Sequence, residues 1–267
     1  MTTIWRRLGC AALASAVLAG AAAAAEPQPI CADRPTKSNG PCTVDVGHFQ
    51  VEADIVNASF MHEDGVSTDN WLLFNPTLKY GLTSNLDIEA SIAPVDIQRI
   101  GDGEGHVSTQ TGIGDLYFRL KYEVLNTPSF QAALMPYVKA PTASHGLGNG
   151  AVEGGLLLPV NVKLSSSLSL ALQPEVDSFE NAAGDGHHVA TSEDVNLGLS
   201  LPHNVTVFAE LWGQWDFDPA GTVRQYSADI AAALGLGRDT QLDAGINFGL
   251  NRATPGFAPY IGIAHRF

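Results

Sequence analysis

The chain is 267 residues long and carries 28 Asp and Glu against 14 Lys and Arg, a formal net charge of −14 at pH 7. A balance this acidic excludes the basic footprint of a nucleic-acid binder, and after residue 25 no apolar run approaches the roughly 18 residues of a membrane helix. If the chain crosses a membrane it does so with strands, and its length fits one large β domain as readily as two ordinary ones.

Residues 1–25 read as a secretory signal peptide. Arg6 and Arg7 precede an Ala/Leu/Val run, and Ala23, Ala24 and Ala25 offer a small-residue cleavage site before Glu26. Cys10 follows Arg7-Leu8-Gly9 and lies ahead of most of the apolar run, which does not suit a lipoprotein site. Cleavage near Ala25 removes two arginines and no acids, so the exported chain is more acidic still. Residues 26–43 are read as a short periplasmic segment. Its two cysteines, Cys31 and Cys42, are expected to form a disulfide in an oxidising compartment rather than a metal pair, since no His stands at zinc spacing.

From residue 44 the sequence alternates with period two, the signature of strands. The first segment, to about Phe60, sets Phe49, Val51, Ala53 and Ile55 against His48, Gln50, Glu52 and Asp54. The second, over 71–80, sets Leu72, Phe74, Pro76, Leu78 and Tyr80 against Leu73, Asn75, Thr77 and Lys79. The third is the cleanest, Leu86, Ile88, Ala90 and Ile92 alternating with Asp87, Glu89 and Ser91. The fourth, over 113–123, opposes Leu116, Phe118, Leu120 and Tyr122 to Asp115, Tyr117, Arg119, Lys121 and Glu123. The fifth carries Ala132, Leu134, Pro136 and Val138 opposite Tyr137 and Lys139. Seven more follow, over 152–162, 168–176, 195–201, 205–215, 226–236, 242–250 and 257–267, making twelve.

The connections alternate in length. Short turns are expected at 81–85, 125–129, 165–167, 202–204 and 237–240, and longer Gly-, Asp- and His-rich loops at 61–70, 96–111, 141–150, 178–192, 217–224 and 251–256. Turns on one side and loops on the other is the arrangement of an outer-membrane barrel, turns in the periplasm and loops outside. Aromatic residues near strand ends form two girdles, with Tyr80, Tyr122, Phe130 and Phe267 below and Phe60, Trp215 and Phe257 above. The last strand, FAPYIGIAHRF, has a large apolar face and finishes on Phe267, which resembles the C-terminal signal read by the barrel assembly machinery, although His265 departs from the apolar residue usual at that place. The expectation is an all-β, twelve-stranded, antiparallel up-and-down transmembrane barrel over 44–267, in contact with outer-membrane lipids of a Gram-negative bacterium.

Three stretches, YGLTSNLDIEASI (80–92), GIGDLYFRLKYEVL (112–125) and PYVKAPT (136–142), resemble the outer-membrane transporters associated with a MetA pathway of phenol degradation. The resemblance runs over most of the exported chain but not over the cysteine segment. It implies a barrel that passes small hydrophobic or aromatic compounds, and it brings no catalytic residue and no cofactor.

With the apolar face toward lipid, twelve acids face the lumen: Glu52, Asp54, Asp87, Glu89, Asp115, Glu123, Glu153, Glu175, Asp177, Glu210, Asp229 and Asp243. Six bases join them: Lys79, Arg119, Lys121, Lys139, Lys163 and Arg266. Eight strands leave an interior just filled by side chains and 16 to 18 leave an aqueous channel, so twelve predict a narrow polar route. The alternative is a structural or adhesive barrel sealed by its own ion pairs.

Other chemistries find weaker support. An outer-membrane lipid hydrolase needs Ser, His and Asn brought together, and Ser144, His145 and Asn149 lie in a loop without strand context. Asp102, Glu104 and His106, and Asp185, His187 and His188, offer oxygen and imidazole donors to a cation but read first as solvated loop polarity. No metal, cofactor or catalytic residue is therefore expected. Pro136, Pro159 and Pro174 fall at nearly one height on three neighbouring strands. Each removes a ladder hydrogen bond, marking either bulges or a place where the wall could open sideways.

Overall fold

The computed structural model describes residues 29–267; the signal-peptide reading lies outside the described residues. Twelve antiparallel strands form one closed sheet: β1 (Phe49–Glu63), β2 (Val66–Thr83), β3 (Leu86–Ser91 and Val95–Gly101), β4 (Val107–Gly112 and Leu116–Asn126), β5 (Phe130–Ala140), β6 (Glu153–Leu157 and Val160–Lys163), β7 (Leu168–Glu180), β8 (His187–Leu201), β9 (Val205–Asp216), β10 (Val223–Gly235), β11 (Thr240–Gly249) and β12 (Phe257–Arg266). Each strand pairs with its neighbours in sequence, and β12 closes on β1 from Gln50↔Arg266 to Phe60↔Phe257. The Phe60 and Phe257 rings stack across that seam with centroids 4.7 Å apart.

The period-two pattern sorts the residues as a barrel in lipid requires. Leu78, Phe118, Leu120, Val176, Leu211, Ile230 and Ile261 point outward and are exposed, whereas the charged residues between them are mostly buried inside.

Several long loops of the sequence reading are shorter. Strand β1 runs on to Glu63 and turns at Asp64-Gly65, both at positive φ, directly into Val66. The conformation suits a two-residue hairpin. Likewise β3 continues to Gly101 and β4 begins at Val107, β7 reaches Glu180 and β8 begins at His187, and β10 begins at Val223. Above the bilayer both faces of a strand meet water, so hydrophobic alternation fades while the ladder continues, as in Met61↔Thr68 and Arg99↔Thr109. Only the ladder was invisible to periodicity.

Three strands are broken in their middle, β3 at Ile92-Ala93-Pro94, β4 at Ile113-Gly114-Asp115 and β6 at Leu158-Pro159. The wall stays hydrogen-bonded there: Gly114 N donates to Ala93 O at 2.8 Å, Leu158 N to Pro174 O at 3.0 Å and Ala133 N to Pro159 O at 2.9 Å. Pro159 thus coincides with a strand break; Pro136 pairs with Leu156 on β6 but is skipped in the ladder to β4, and Pro174 pairs with Glu193 on β8 but faces the break on β6.

Candidate functional site

The lumen is not empty. Residues 30–46, of which 30–43 are read from sequence as a periplasmic segment and 44–46 as the start of the barrel, form a loop that rises into the lumen from the short-turn end and returns. On the way in Ile30 N donates to Arg238 O at 2.7 Å, in the turn between β10 and β11; on the way out Gly47 N donates to Gly81 O at 2.9 Å on β2. Cys31 and Cys42 are bonded at the foot of this loop, their Cα atoms 6.2 Å apart.

The loop is held by charge-assisted contacts on every side. Arg34 places Nη1 2.6 Å from Asp54 on β1 and Nη2 2.8 Å from Asp243 on β11, with its guanidinium 5.9 Å from the centroid of the Tyr260 ring. Asp33 accepts from Lys121 at 2.5 Å and pairs with Lys79, and its own N–H donates to Glu52 at 3.0 Å. Lys37 pairs with Asp229 and donates to Ser227 Oγ at 3.1 Å, with its ammonium 5.6 Å from the centroid of the Trp212 ring. The backbone N–H groups of Lys37 and Ser38 donate to Glu210 at 3.1 and 3.2 Å, and that of Asn39 to Gln173 at 2.8 Å. Val44 N donates to Asp87 at 2.9 Å.

These contacts decide two protonation states. Burial alone would push the Asp33 carboxyl up, but Lys121 and Lys79 outweigh it and hold it well below the ordinary carboxylate range. Burial would lower the Arg34 guanidinium, but Asp243 and Asp54 raise it further above its ordinary value.

Of the expected lumen residues, Glu52, Asp54, Lys79, Asp87, Glu89, Lys121, Lys139, Asp177, Glu210, Asp229, Asp243 and Arg266 are buried inside the barrel. Asp115, Arg119, Glu123, Glu153 and Glu175 are half-buried and Lys163 is exposed at the short-turn end. They do not form one site. On the β1–β6 side acids and bases alternate: Lys79 lies 2.5 Å from Glu52, Lys121 3.3 Å from Glu89, and Lys139 2.6 Å from Glu153. Strands β7–β11 contain no Lys, and their one Arg, Arg224, is exposed. The positive charge facing that wall is supplied by Arg34 and Lys37 of the loop. Arg266 is drawn to the foot of the barrel, 2.6 Å from Asp45 and 2.5 Å from Asp239.

The sequence reading missed the loop residues Asp33, Arg34 and Lys37, and among wall residues Asp194 and Asn196. Counting back in twos from Gly198 gives Asn196 and Asp194, but Asp194 precedes the eighth segment, 195–201, and Asn196 carries no charge. Space remains around the loop: a cavity of about 150 Å³ reaches Asn75 and Arg119 beside Arg34, and one of about 280 Å³ lies against the disulfide, reaching Ser169 and Phe208.

Ser144 Oγ accepts from Ile113 N at 3.0 Å and so patches the break in β4; among the described residues it forms no hydrogen bond with His145 or Asn149. Asp102, Glu104 and His106 do come together at an exposed tip, where Asp102 accepts from Glu104 N at 2.8 Å and faces His106 Nδ1 at 2.7 Å. Those N–H bonds, Glu104 first, hold the Asp102 carboxyl below its ordinary value. Asp185, His187 and His188 are dispersed: Asp185 accepts from Asn181, His187 meets Val152 O, and His188 faces Asp216 at 2.5 Å.

The fold is that of solved outer-membrane barrels. An outer membrane channel from Pseudomonas putida F1 superposes with a TM-score of 0.67 at 14% identity, covering 88% of this chain and 99% of that one. The β domain of the Bordetella autotransporter BrkA gives 0.53 at 12% identity, over 84% and 100%. The NanC porin gives 0.51 at 6% identity, over 80% and 98%. At such identities the likeness establishes the fold alone. No curated protein matches the sequence. A family profile does, over residues 32–267, which includes the loop in the lumen as well as the wall, and the chain belongs to that family, described as Putative MetA-pathway of phenol degradation.

Proposed function

We propose that this barrel is a passive outer-membrane channel for small molecules, without energy coupling or cofactor, and that its solutes are hydrophobic or aromatic. The observation that carries the reading is a closed wall around a charged lumen in which free space persists beside the inner loop, in cavities of about 150 and 280 Å³. Twelve strands give more room than the eight whose side chains close the interior, and here a separate segment takes up part of that room. The family description and the channels and porins among the fold relatives support the same reading. On this view Phe267 serves the assembly machinery and the loops of the β1–β2 end face outward.

The rival is a sealed structural or adhesive barrel, favoured by the ion pairs that grip the loop from β1, β2, β4, β10 and β11. Uptake of labelled aromatic solutes by proteoliposomes, with single-channel recording, separates the two: neither uptake nor current would favour the sealed barrel. An enzymatic reading returns only if the protein hydrolyses phospholipid and Ser144→Ala abolishes the activity.

For apolar solutes the reading includes a sideways exit near Pro136, Pro159 and Pro174. A crevice of about 670 Å³ on the lipid face, lined by Leu78, Ile88, Phe118, Leu120 and Pro136, lies beside the broken strand β6. Replacing the three prolines with Ala should slow uptake of apolar solutes and leave ion conductance unchanged. Unaffected apolar uptake would make the prolines purely architectural.

A further inference from the structure

The β7–β11 wall is short of positive charge even with the loop in place. Asn196, Glu210 and Asp229 stand in one row across β8, β9 and β10, and Asp194, Trp212 and Ser227 stand in the next. Asp194 is only 1% exposed, yet no donor among the described residues reaches either of its carboxylate oxygens, and the side chain it lies against is another acid, Glu210. Asn196 Oδ1 and Asp229 Oδ1 are likewise buried and unpartnered. Three carboxylates therefore share a single cation, Lys37. A buried charge without a partner is costly, and the cluster is relieved by either a further positive group or a proton on Asp194.

We infer that Asp194, Glu210, Asp229 and Trp212 form a binding site for the ammonium group of a small organic amine. Lys37 displays the chemistry required: its ammonium rests on Asp229, donates to Ser227 Oγ and lies over the Trp212 ring at 5.6 Å, an acid beneath a π-face. An incoming primary amine takes that position, or the unpartnered oxygens of Asp194 next to it. A chelated metal ion fits less well, because among the described residues the only three donor groups within 4.8 Å of one another are Asp102, Glu104 and His106. At this site the wall supplies hydrogen-bond acceptors, the Trp212 ring and no base, which selects against anions of the same size.

This inference rests on the channel reading and names one class of its solutes. The test is calorimetric binding to the full-length barrel in detergent, with 2-phenylethylamine, 2-phenylethanol and phenylacetate as probes sharing one aromatic body. The amine should bind, and the alcohol and acid should bind at least about tenfold more weakly. Asp194→Asn and Trp212→Leu should each weaken the amine, and Lys37→Met, which removes the resident ammonium, should tighten it. Folding of each variant is checked by its heat-modifiable migration on a gel. Equal binding of amine and alcohol overturns the proposal, as does an amine affinity that Asp194→Asn and Lys37→Met leave unchanged. So does an infrared signature of a protonated Asp194 at neutral pH without amine binding, which would make the missing charge a proton only. Since no transport is measured, failure here leaves the channel reading standing, and absence of single-channel current leaves the binding result standing.

Discussion

Asp33 and Arg34 are consecutive in the chain, yet their side chains diverge to different arcs of the wall: Asp33 lies 2.5 Å from Lys121 on β4, and Arg34 2.8 Å from Asp243 on β11. An acid beside a base, presented in that order, matches a lumen whose bases are confined to one half. The loop is thereby fixed in rotation as well as in height.

Arg34→Met should unseat the loop. Asp54 and Asp243 would lose their cation while their side chains are 8% and 0% exposed, and stranding a buried charge costs about 3–5 kcal/mol. Faster proteolysis within residues 30–46 of the detergent-folded barrel, with raised single-channel conductance, is the expected outcome. Wild-type protection would show that the guanidinium does not anchor the loop.

The disulfide closes a stretch of 11 residues in sequence separation, and a closure of that size removes about 3 kcal/mol of chain entropy from the detached state. Changing Cys31 and Cys42 together to Ser should therefore raise the fraction of time in the conducting state. Recordings with and without a reductant on the wild type should show the same change; identical traces would contradict it.

The wall was legible in the sequence because each of its strands meets two solvents and so alternates. The loop was not, because its side chains answer to residues up to 209 positions away, as Arg34 does to Asp243, and nothing local patterns them. One signal was available. Five strands with buried acids and no lumen-facing base, β7–β11, demand cations from elsewhere, and Arg34 and Lys37 are the bases in the segment before the barrel. Strand ends outside the bilayer were lost for the reason that Arg99 and Thr109 illustrate: a ladder between two polar faces has no hydrophobic period.

Asp33 also predicts a pH dependence. Its folded-state value lies below the ordinary carboxylate range, so its contribution is fully present above about pH 4 and fades only as pH falls through the depressed value. Between pH 8 and 5 the Asp33 anchor should be constant. A loosening in that window, seen by proteolysis in the wild type and absent in Asp33→Asn, would contradict the sign.

Gly81 marks where the returning loop crosses β2. A Cβ there would stand 2.2 Å from Asp45 O and 2.4 Å from Val44 O, backbone atoms that cannot rotate away. Gly81→Ala should cost about 1–3 kcal/mol in a urea titration. Gly256→Ala, whose Cβ would meet Phe60 O at 3.7 Å, should be near neutral, and equal midpoints for the two variants would refute the steric reading.

Lumen acids outnumber bases two to one along the strands assigned from sequence, and Asp194 adds another. Low-dielectric walls focus that field, so any ionic current should prefer cations. Reversal potentials under a salt gradient check the sign.

Both feet of the loop stand at the same rim, one at Arg238 and the other at Gly81. It is a bight rather than a threaded tail, so no chain end has to pass through the closed ring for it to enter or withdraw. The twelve strands can zip shut first, β12 onto β1, and the bight can dock afterwards as a purely intramolecular step whose rate is independent of protein concentration. Closure of the wall therefore does not require the bight as a template.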